Sequence, residues 1–450
     1  MKIVHLLGWY FPDSVGGTEV YVEGLCRRLS AAGHEVLIAA PDSRGIAVEH
    51  YEHDGVPVFR YAIPADVTRD EAYHRVPVRG AERLYAWLER ERPDLLHIHS
   101  ITTGVGLPEF RAAAQLNIRV IATCHLPGLG YMCRTGELMQ WGRVPCDGIV
   151  IPDKCASCNL TRLGMPEVAA RVVGAVPVAL STLLRALPGR FGTSIGMSAS
   201  VVEYREMQRE LFGLMDAFVV LNETARQMLI ADGAPADKIV INRLGIGQTG
   251  IVRKPDPDHV PTASPVRFGY LGRLDSSKGL LELARAVREI PQDVRFELQI
   301  RGPRLDDSTR RFVDELKAIV SSDPRVRFEP AVPAHDVPRV LADLDVLLCP
   351  SIWFENGPTI ALEAMAVGTP VIGSRVGNLA EIVDHGVNGR LVAAGDVAAL
   401  KNALVDVASH PATTIDVWRR ALVAPRTMDD IARDYLELYA ARPTRCESRS

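Results

Sequence analysis

Short apolar runs alternate with helical stretches twice along this chain, and one segment dense in Gly, Pro and Asp divides the two series. In the first series, Ile3–Leu7, Glu35–Ala39, Val56–Arg60, Asp94–Ile98 and Arg119–Ala122 read as strands. Helical patterns at Thr18–Ala32, Ala81–Glu91 and Val105–Gln115 separate them. The first helix is expected to bury Val20, Tyr21, Leu25 and Leu29 and to stop at Gly33. The rhythm lapses over residues 128–215, an insertion that is first Cys-, Gly- and Pro-rich and then helical, and it resumes at Ala217–Leu221, Glu223–Ala231 and Lys238–Ile241. The divider is Gly245–Pro265. Strands restart at Val266–Tyr270, Val294–Ile300, Val326–Phe328, Val346–Leu348 and Val371–Ile372, with helices between them. Such alternation implies a mostly parallel sheet covered on both faces. The fold class is therefore α/β: two Rossmann-like domains facing across a cleft, with ligands outside the carboxyl ends of the strands. The chain divides into 1–244, a linker at 245–265, a second domain at 266–410, helices at 411–442 and a tail at 443–450.

A chain of 450 residues exceeds what a single core supports. A net charge of −4 argues against a dedicated nucleic-acid binder, which carries a basic face. No apolar run reaches the ~18–20 residues of a membrane span. Met1–Leu7 reads as a first strand rather than a signal peptide. A cytoplasmic location is expected, with thiols or metal ligands rather than disulfides among the eight cysteines.

The most informative segment runs from Cys349 to Ala366. It leaves a strand, passes Glu355, Asn356 and Gly357, and opens a helix at Pro358–Thr359 that carries Glu363 in its second turn. Backbone N–H groups around Asn356 to Thr359 are expected to be free to bind a phosphate. Glu355 would then project toward a sugar, and Glu363 would accept hydrogen bonds from a ribose diol. Upstream, Tyr270-Leu271-Gly272-Arg273-Leu274 leaves a strand and reaches Lys278-Gly279 at a helix start. Arg273 and Lys278 could clamp a diphosphate and offset charge on a leaving group. In the first domain, Gly16-Gly17-Thr18 lets backbone approach a ligand closely. Thr123-Cys124-His125 ends a strand, as do its rivals His97 and His99. Cys133, Cys146, Cys155 and Cys158 fall in the insertion, the last pair as CxxC. Four soft ligands suit a closed structural zinc site, and an iron–sulfur cluster uses the same set.

The Glu355-x7-Glu363 spacing, Gly368-Thr369-Pro370-Val371-Ile372-Gly373-Ser374, Gly377–Val383 and Asn388-Gly389-Arg390-Leu391-Val392 together resemble the signature of retaining GT-B glycosyltransferases of family 4 (glycosyl transferases group 1). The resemblance implies that Glu355 contacts the donor sugar, Glu363 the ribose, and Arg273 with Lys278 the diphosphate. It implies that Gly16 and Gly17 meet donor phosphates or sugar, and that His125 hydrogen-bonds a donor hydroxyl or main chain. It further implies retention of configuration with no catalytic metal or cofactor, the departing phosphate oxygen taking the acceptor proton. A subset of that family carries a similar Cys-rich insertion after Thr-x-His, and the family's habit implies that the helices at 411–442 cross back to the first domain. One departure is Asn242-Arg243-Leu244-Gly245, where the family usually has Asn-Gly-hydrophobic-Asp.

The resemblance implies a UDP- or GDP-sugar as donor and a glycan, a lipid-linked glycan or a small molecule as acceptor. Ala169–Arg190, apolar with Arg171, Arg185 and Arg190, suits an anionic bilayer or packing on the first domain. Two other functions fit the same architecture: a nucleotide-sugar epimerase, and a non-catalytic sugar-nucleotide-binding protein.

Overall fold

The computed structural model describes residues 1–14, 16–44, 49–125, 131–247, 265–303, 307–321 and 323–441. Most of the expected linker and all of the expected tail lie outside these residues. The chain divides into two compact units, Met1–Arg243 with Met428–Ser450, and Leu244–Thr427.

The first unit is built on an eight-stranded sheet. Its spatial order is Ile239–Ile241, Ala217–Val220, Arg119–Thr123, Leu95–Ile98, Lys2–Leu6, Glu35–Asp42, Val56–Ala62 and Glu49–His53. All neighbours run parallel except the last pair, which is antiparallel. Glu49–His53 was not anticipated. Its run Glu-His-Tyr-Glu-His is polar because an edge strand needs no second buried face, and charge there discourages pairing with another chain. The strand order reverses between Leu95–Ile98 and Lys2–Leu6, where His5 and His97 are register partners. The first helix, Gly17–Ala31, buries Tyr21, Val22, Leu25, Cys26 and Leu29. Val20, expected in that face, is exposed instead: one residue before Tyr21 is a 100° turn away from the stripe.

Within the insertion a two-stranded ribbon, Met139–Gln140 with Val144–Pro145, precedes five helices between Pro152 and Leu214, the last of which, Met197–Leu214, runs for 18 residues. Prolines 166, 177 and 188 stand at three of the helix starts, so the helical stretch before Met197 is divided into short pieces. Val150, Ala156, Leu160, Ala170, Met197, Val201 and Tyr204 give this region a small core of its own.

The second unit carries a six-stranded, all-parallel sheet. Numbered along the unit, its order is 3-2-1-4-5-6, the doubly wound arrangement. Successive side chains of Val346–Cys349 enter opposite cores: Val346 and Leu348 one, Leu347 and Cys349 the other. The order reverses between Val266–Leu271 and Val346–Cys349, so the loops after these two strands flank the place where such sheets bind ligands.

Both C-terminal helices were expected to cross back to the first domain. Pro411–Ala421 does not, because Ile415 and Trp418 sit in the second unit's core. Met428–Ala440 packs on the first unit, where Arg119 donates to the carbonyls of Leu438 and Tyr439.

Candidate active site

The loop after Val266–Leu271 descends through Arg273 and Asp275 to a single 3₁₀ turn, Ser276–Lys278. Asp275 caps that turn, accepting from the Ser277 backbone at 3.0 Å and from the Ser277 hydroxyl. Gly279 follows at φ +69, a left-handed conformation, and a Cβ there would stand 1.9 Å from the Pro350 carbonyl oxygen. The absent side chain lets this loop lie against the one after Val346–Cys349, and Ile352 N donates to Ser277 O at 3.0 Å.

That contact brings Lys278 and Glu355 together. Lys278 Nζ donates to Glu355 Oε1 at 2.6 Å, and Ser351 Oγ donates to the same oxygen at 2.5 Å. Both ends of the ion pair are largely buried, so each needs the other to offset lost hydration. The Glu355 carbonyl accepts from Asn378 N at 2.7 Å, beneath Gly377 at φ +49, where a Cβ would meet that carbonyl at 2.2 Å. Glu355 is thus held through both side chain and backbone, and Lys278 rests on Glu355 rather than standing free for a diphosphate. Arg273 remains exposed, its Nε 3.6 Å from Asp275, while its carbonyl accepts from Tyr270 OH at 2.5 Å. Ser351 and Asp275 were not identified from sequence. Short polar residues in loops carry no periodic signal.

Helix Thr359–Ala366 starts behind Pro358. The expected row of free N–H groups is shorter than the spacing suggested: Pro358 has none, and Thr359 N donates to Gly357 O at 2.9 Å. Asn356 is buried beside Glu355. Glu363 is half-buried one turn into the helix, and burial lifts its carboxyl to about 7.

In the first unit, Gly16 caps helix Gly17–Ala31 and has no side chain to offer. The buried Glu19 carboxylate lies alongside, accepting from Ser14 Oγ at 2.5 Å. His125 ends a line of imidazoles. Its Nε2 is 3.0 Å from His99 Nδ1, and His99 Nε2 is 2.8 Å from His5 Nδ1. His97 belongs to a second network, its ring nitrogens 2.6 Å from Tyr439 OH and 2.7 Å from Thr123 Oγ1. His5 was read only as part of a strand, since its partners are over ninety residues away.

Cys133, Cys146, Cys155 and Cys158 all line one small cavity of about 30 Å³. Cys155 and Cys158 share a face of helix Pro152–Arg162. Cys158 Sγ accepts from Trp141 N at 3.3 Å, and Cys133 Sγ lies 3.1 Å from Thr135 Oγ1. The donor chemistry suits a soft metal. Among the described residues, the three-donor group with ligand atoms within 4.8 Å is His5, His97 and His99, so the sulphurs stand wider than a closed site needs. Cys26, Cys124 and Cys349 are buried and do not line this cavity.

The raised Glu363 carboxyl has a measurable consequence. The native group holds its proton up to about pH 7, whereas the ordinary value is 4.5. Between those values the native state binds more protons than the unfolded one, so stability falls as pH rises through that window. Thermal melts of the ligand-free protein should show Glu363→Gln losing less stability than the parent across it.

The geometry can now be set beside known proteins. Residues 265–410 match the family model described as Glycosyl transferases group 1, and residues 15–174 match Glycosyltransferase Family 4. The amylovoran biosynthesis glycosyltransferase AmsK of Erwinia amylovora is 28% identical over 236 residues, 50% of this chain and 56% of that protein. The chain spans less than three fifths of the length of several such curated relatives. Sucrose-phosphate synthase from Thermosynechococcus elongatus superposes with a TM-score of 0.65 at 20% identity, covering 98% of each chain. Anabaena HepE, in complex with UDP and glucose, gives 0.60 at 15% identity, covering 97% of this chain and 99% of that one. A glycosyltransferase family model thus matches in each half of the chain, and its fold is that of the GT-B proteins, two Rossmann-like domains.

Proposed function

We propose that the protein transfers a sugar from a UDP- or GDP-sugar to a glycan, lipid-linked or small-molecule acceptor, with retention of configuration and no catalytic metal. The observation that carries this reading is the Lys278–Glu355 pair at the strand-order reversal, with Glu363 on the helix that follows the Glu355 loop. Arg273 and Lys278 take the diphosphate, and Glu363 takes the ribose diol. Asn356, Gly357 and Thr359 border the phosphates, and Pro358 shapes that turn. Arrival of the diphosphate draws Lys278 away from Glu355, whose carboxylate then accepts hydrogen bonds from the sugar. His125, Gly16 and Gly17 are the first unit's contribution. The bond between the anomeric carbon and the diphosphate oxygen breaks, and the acceptor oxygen bonds that carbon on the same face. The departing oxygen takes the acceptor's proton, while the two cations offset its growing charge. HepE's complex with UDP and glucose supports a nucleotide-sugar donor by likeness of fold.

Glu355→Gln keeps the shape and removes the charge. In transfer assays with UDP- and GDP-sugars it should lower kcat by about 10²–10³-fold. Unchanged turnover would sink the assignment, and donor conversion without acceptor would point to an epimerase.

We also propose that Cys133, Cys146, Cys155 and Cys158 hold a structural zinc, with an iron–sulfur cluster as the alternative. The shared cavity and the thiol donor set support it. A bound metal would tie the segments at Cys133 and Cys146 to helix Pro152–Arg162. Elemental analysis should find stoichiometric zinc that Cys155→Ser loses. Iron would favour the cluster, and neither metal would end the proposal.

An acceptor at a membrane is favoured by one observation. Val168, Val172, Leu183 and Phe191 are 77%, 70%, 74% and 65% exposed, beside Leu163, Leu180 and Leu187. Between Glu167 and Glu203 the sequence has Arg171, Arg185 and Arg190 and no acidic residue. Among the described residues no single helix can cross a membrane, although Glu167–Gly174 and Val178–Leu184 pass as a pair bent by 98°. This face suits an anionic surface, and the protein would lie in the cytoplasm against the inner membrane face. It should float with anionic vesicles and not with zwitterionic ones. Leu183→Glu with Phe191→Glu should abolish flotation, and no binding by the parent would remove the reading.

A further inference from the structure

A cavity of about 320 Å³ opens in the first unit between the turn at Tyr73–Arg75, helix Leu107–Gln115 and helix Met197–Leu214. Arg134, from the inserted segment, completes its wall. Among the described residues that line it are none assigned above to the donor or to the metal. The turn is firmly seated. His74 has φ +54, a left-handed conformation uncommon outside glycine. Its ring fills the space that a side chain on Gly106 would need, for a Cβ there would lie 2.2 Å from His74 Nδ1. Arg134 lies over the Tyr73 ring, its Cζ 4.4 Å from the centroid, and donates to Ser200 Oγ at 2.7 Å.

Most charges around the cavity are spent on one another. Arg75 donates to Glu203 at 2.5 Å, and Arg111 grips Glu210 through Nε and Nη2 at 2.6 and 2.8 Å. Glu203 also accepts from Arg185. Two groups are left over. Arg134 has no carboxylate within ion-pair distance among the described residues, and Ser200 takes only one of the five N–H donors of a guanidinium. Glu206 is exposed, with no cationic partner among the described residues. Burial lowers the His74 imidazole to about 4, so at neutral pH this ring brings one donor and one acceptor. Leu107, Met207 and the Tyr73 ring supply an apolar remainder.

That inventory selects a ligand. An aliphatic chain would strip water from Arg134 and Glu206 without replacing it. A phosphate would find a single unmatched cation and a carboxylate that repels it. A sugar ring suits every group: its hydroxyl oxygens accept from Arg134, its hydroxyl hydrogens donate to Glu206, and a C–H face rests on the apolar wall. We propose that this cavity binds a neutral saccharide unit, with Arg134 and Glu206 as its two polar anchors. On the proposed function, on which this inference rests, that unit belongs to the acceptor, which is thereby a glycan. Arg134, Ser200 and Glu206 all lie within residues 128–215, so the inserted segment builds the recognition and the sheet only carries it.

The test is saturation-transfer NMR on the whole protein, with methyl β-D-glucoside, methyl β-D-galactoside and methyl α-D-mannoside as probes. At least one should receive saturation. Arg134→Met and Glu206→Gln should each weaken that binding by roughly tenfold or more, the scale of one hydrogen bond to a charged group. Glu355→Gln should leave it unchanged. Glu206 is exposed, so its variant keeps the fold even where Arg134→Met lowers the melting temperature. Three silent probes, or a signal that survives the Glu206 substitution, overturn the proposal. Displacement of the glycoside by inorganic phosphate does so too, in favour of an anion site. Sugar transfer by a parent that binds none of the probes would strike the site and spare the function. Binding without any transfer would support the site and strike the function.

Discussion

An ammonium and a carboxylate 2.6 Å apart, largely withdrawn from water, tie together the two loops at the centre of the second sheet. Neither charge would be stable there alone. Their loops leave adjacent parallel strands at the point where the winding reverses, and the doubly wound order opens a crevice at that point. Once the pair is in place, Ser351, Asn378 and Gly377 follow as the groups that hold the glutamate's side chain and backbone. At rest the pair is self-satisfied. A ligand bearing its own negative charge must compete for the lysine before the glutamate becomes available.

The first unit solves a related problem with neutral groups. Its reversal point gathers histidines and the tyrosines of the last helix, with hydrogen bonds running Tyr439–His97–Thr123–Tyr435. Tyr21 of the first helix donates to Tyr435 at 3.2 Å, so segments more than four hundred residues apart meet in one buried network. Polar groups in such a place specify a unique packing because an alternative would leave one unsatisfied.

Much of this was legible from the amino acids. Strand–helix alternation located both sheets, because a buried parallel strand is an unbroken apolar run such as Val346–Cys349. Glu355, Glu363, Arg273, Lys278 and the glycines around them stood out by motif. What escaped was relational. Helix Pro411–Ala421 reads the same whichever core receives Trp418. His5 is an unremarkable strand residue until register sets it beside His97. Thr359 N looks free at a helix start until the turn at Gly357 takes it. The edge strand Glu49–His53 lacks the apolar pattern because it has no second face to bury.

Gly279 carries a consequence for how this protein can diverge. Its backbone touches the Pro350 carbonyl where a methyl group cannot fit, so the gap between the two loops is set by hydrogen-sized contact. Surfaces remote from this contact can change without limit from this position. The spacing of the charge pair cannot, because widening one loop relative to its neighbour would part lysine from glutamate. The width of the crevice at the second sheet is thus fixed by backbone contact rather than by the side chains that line it.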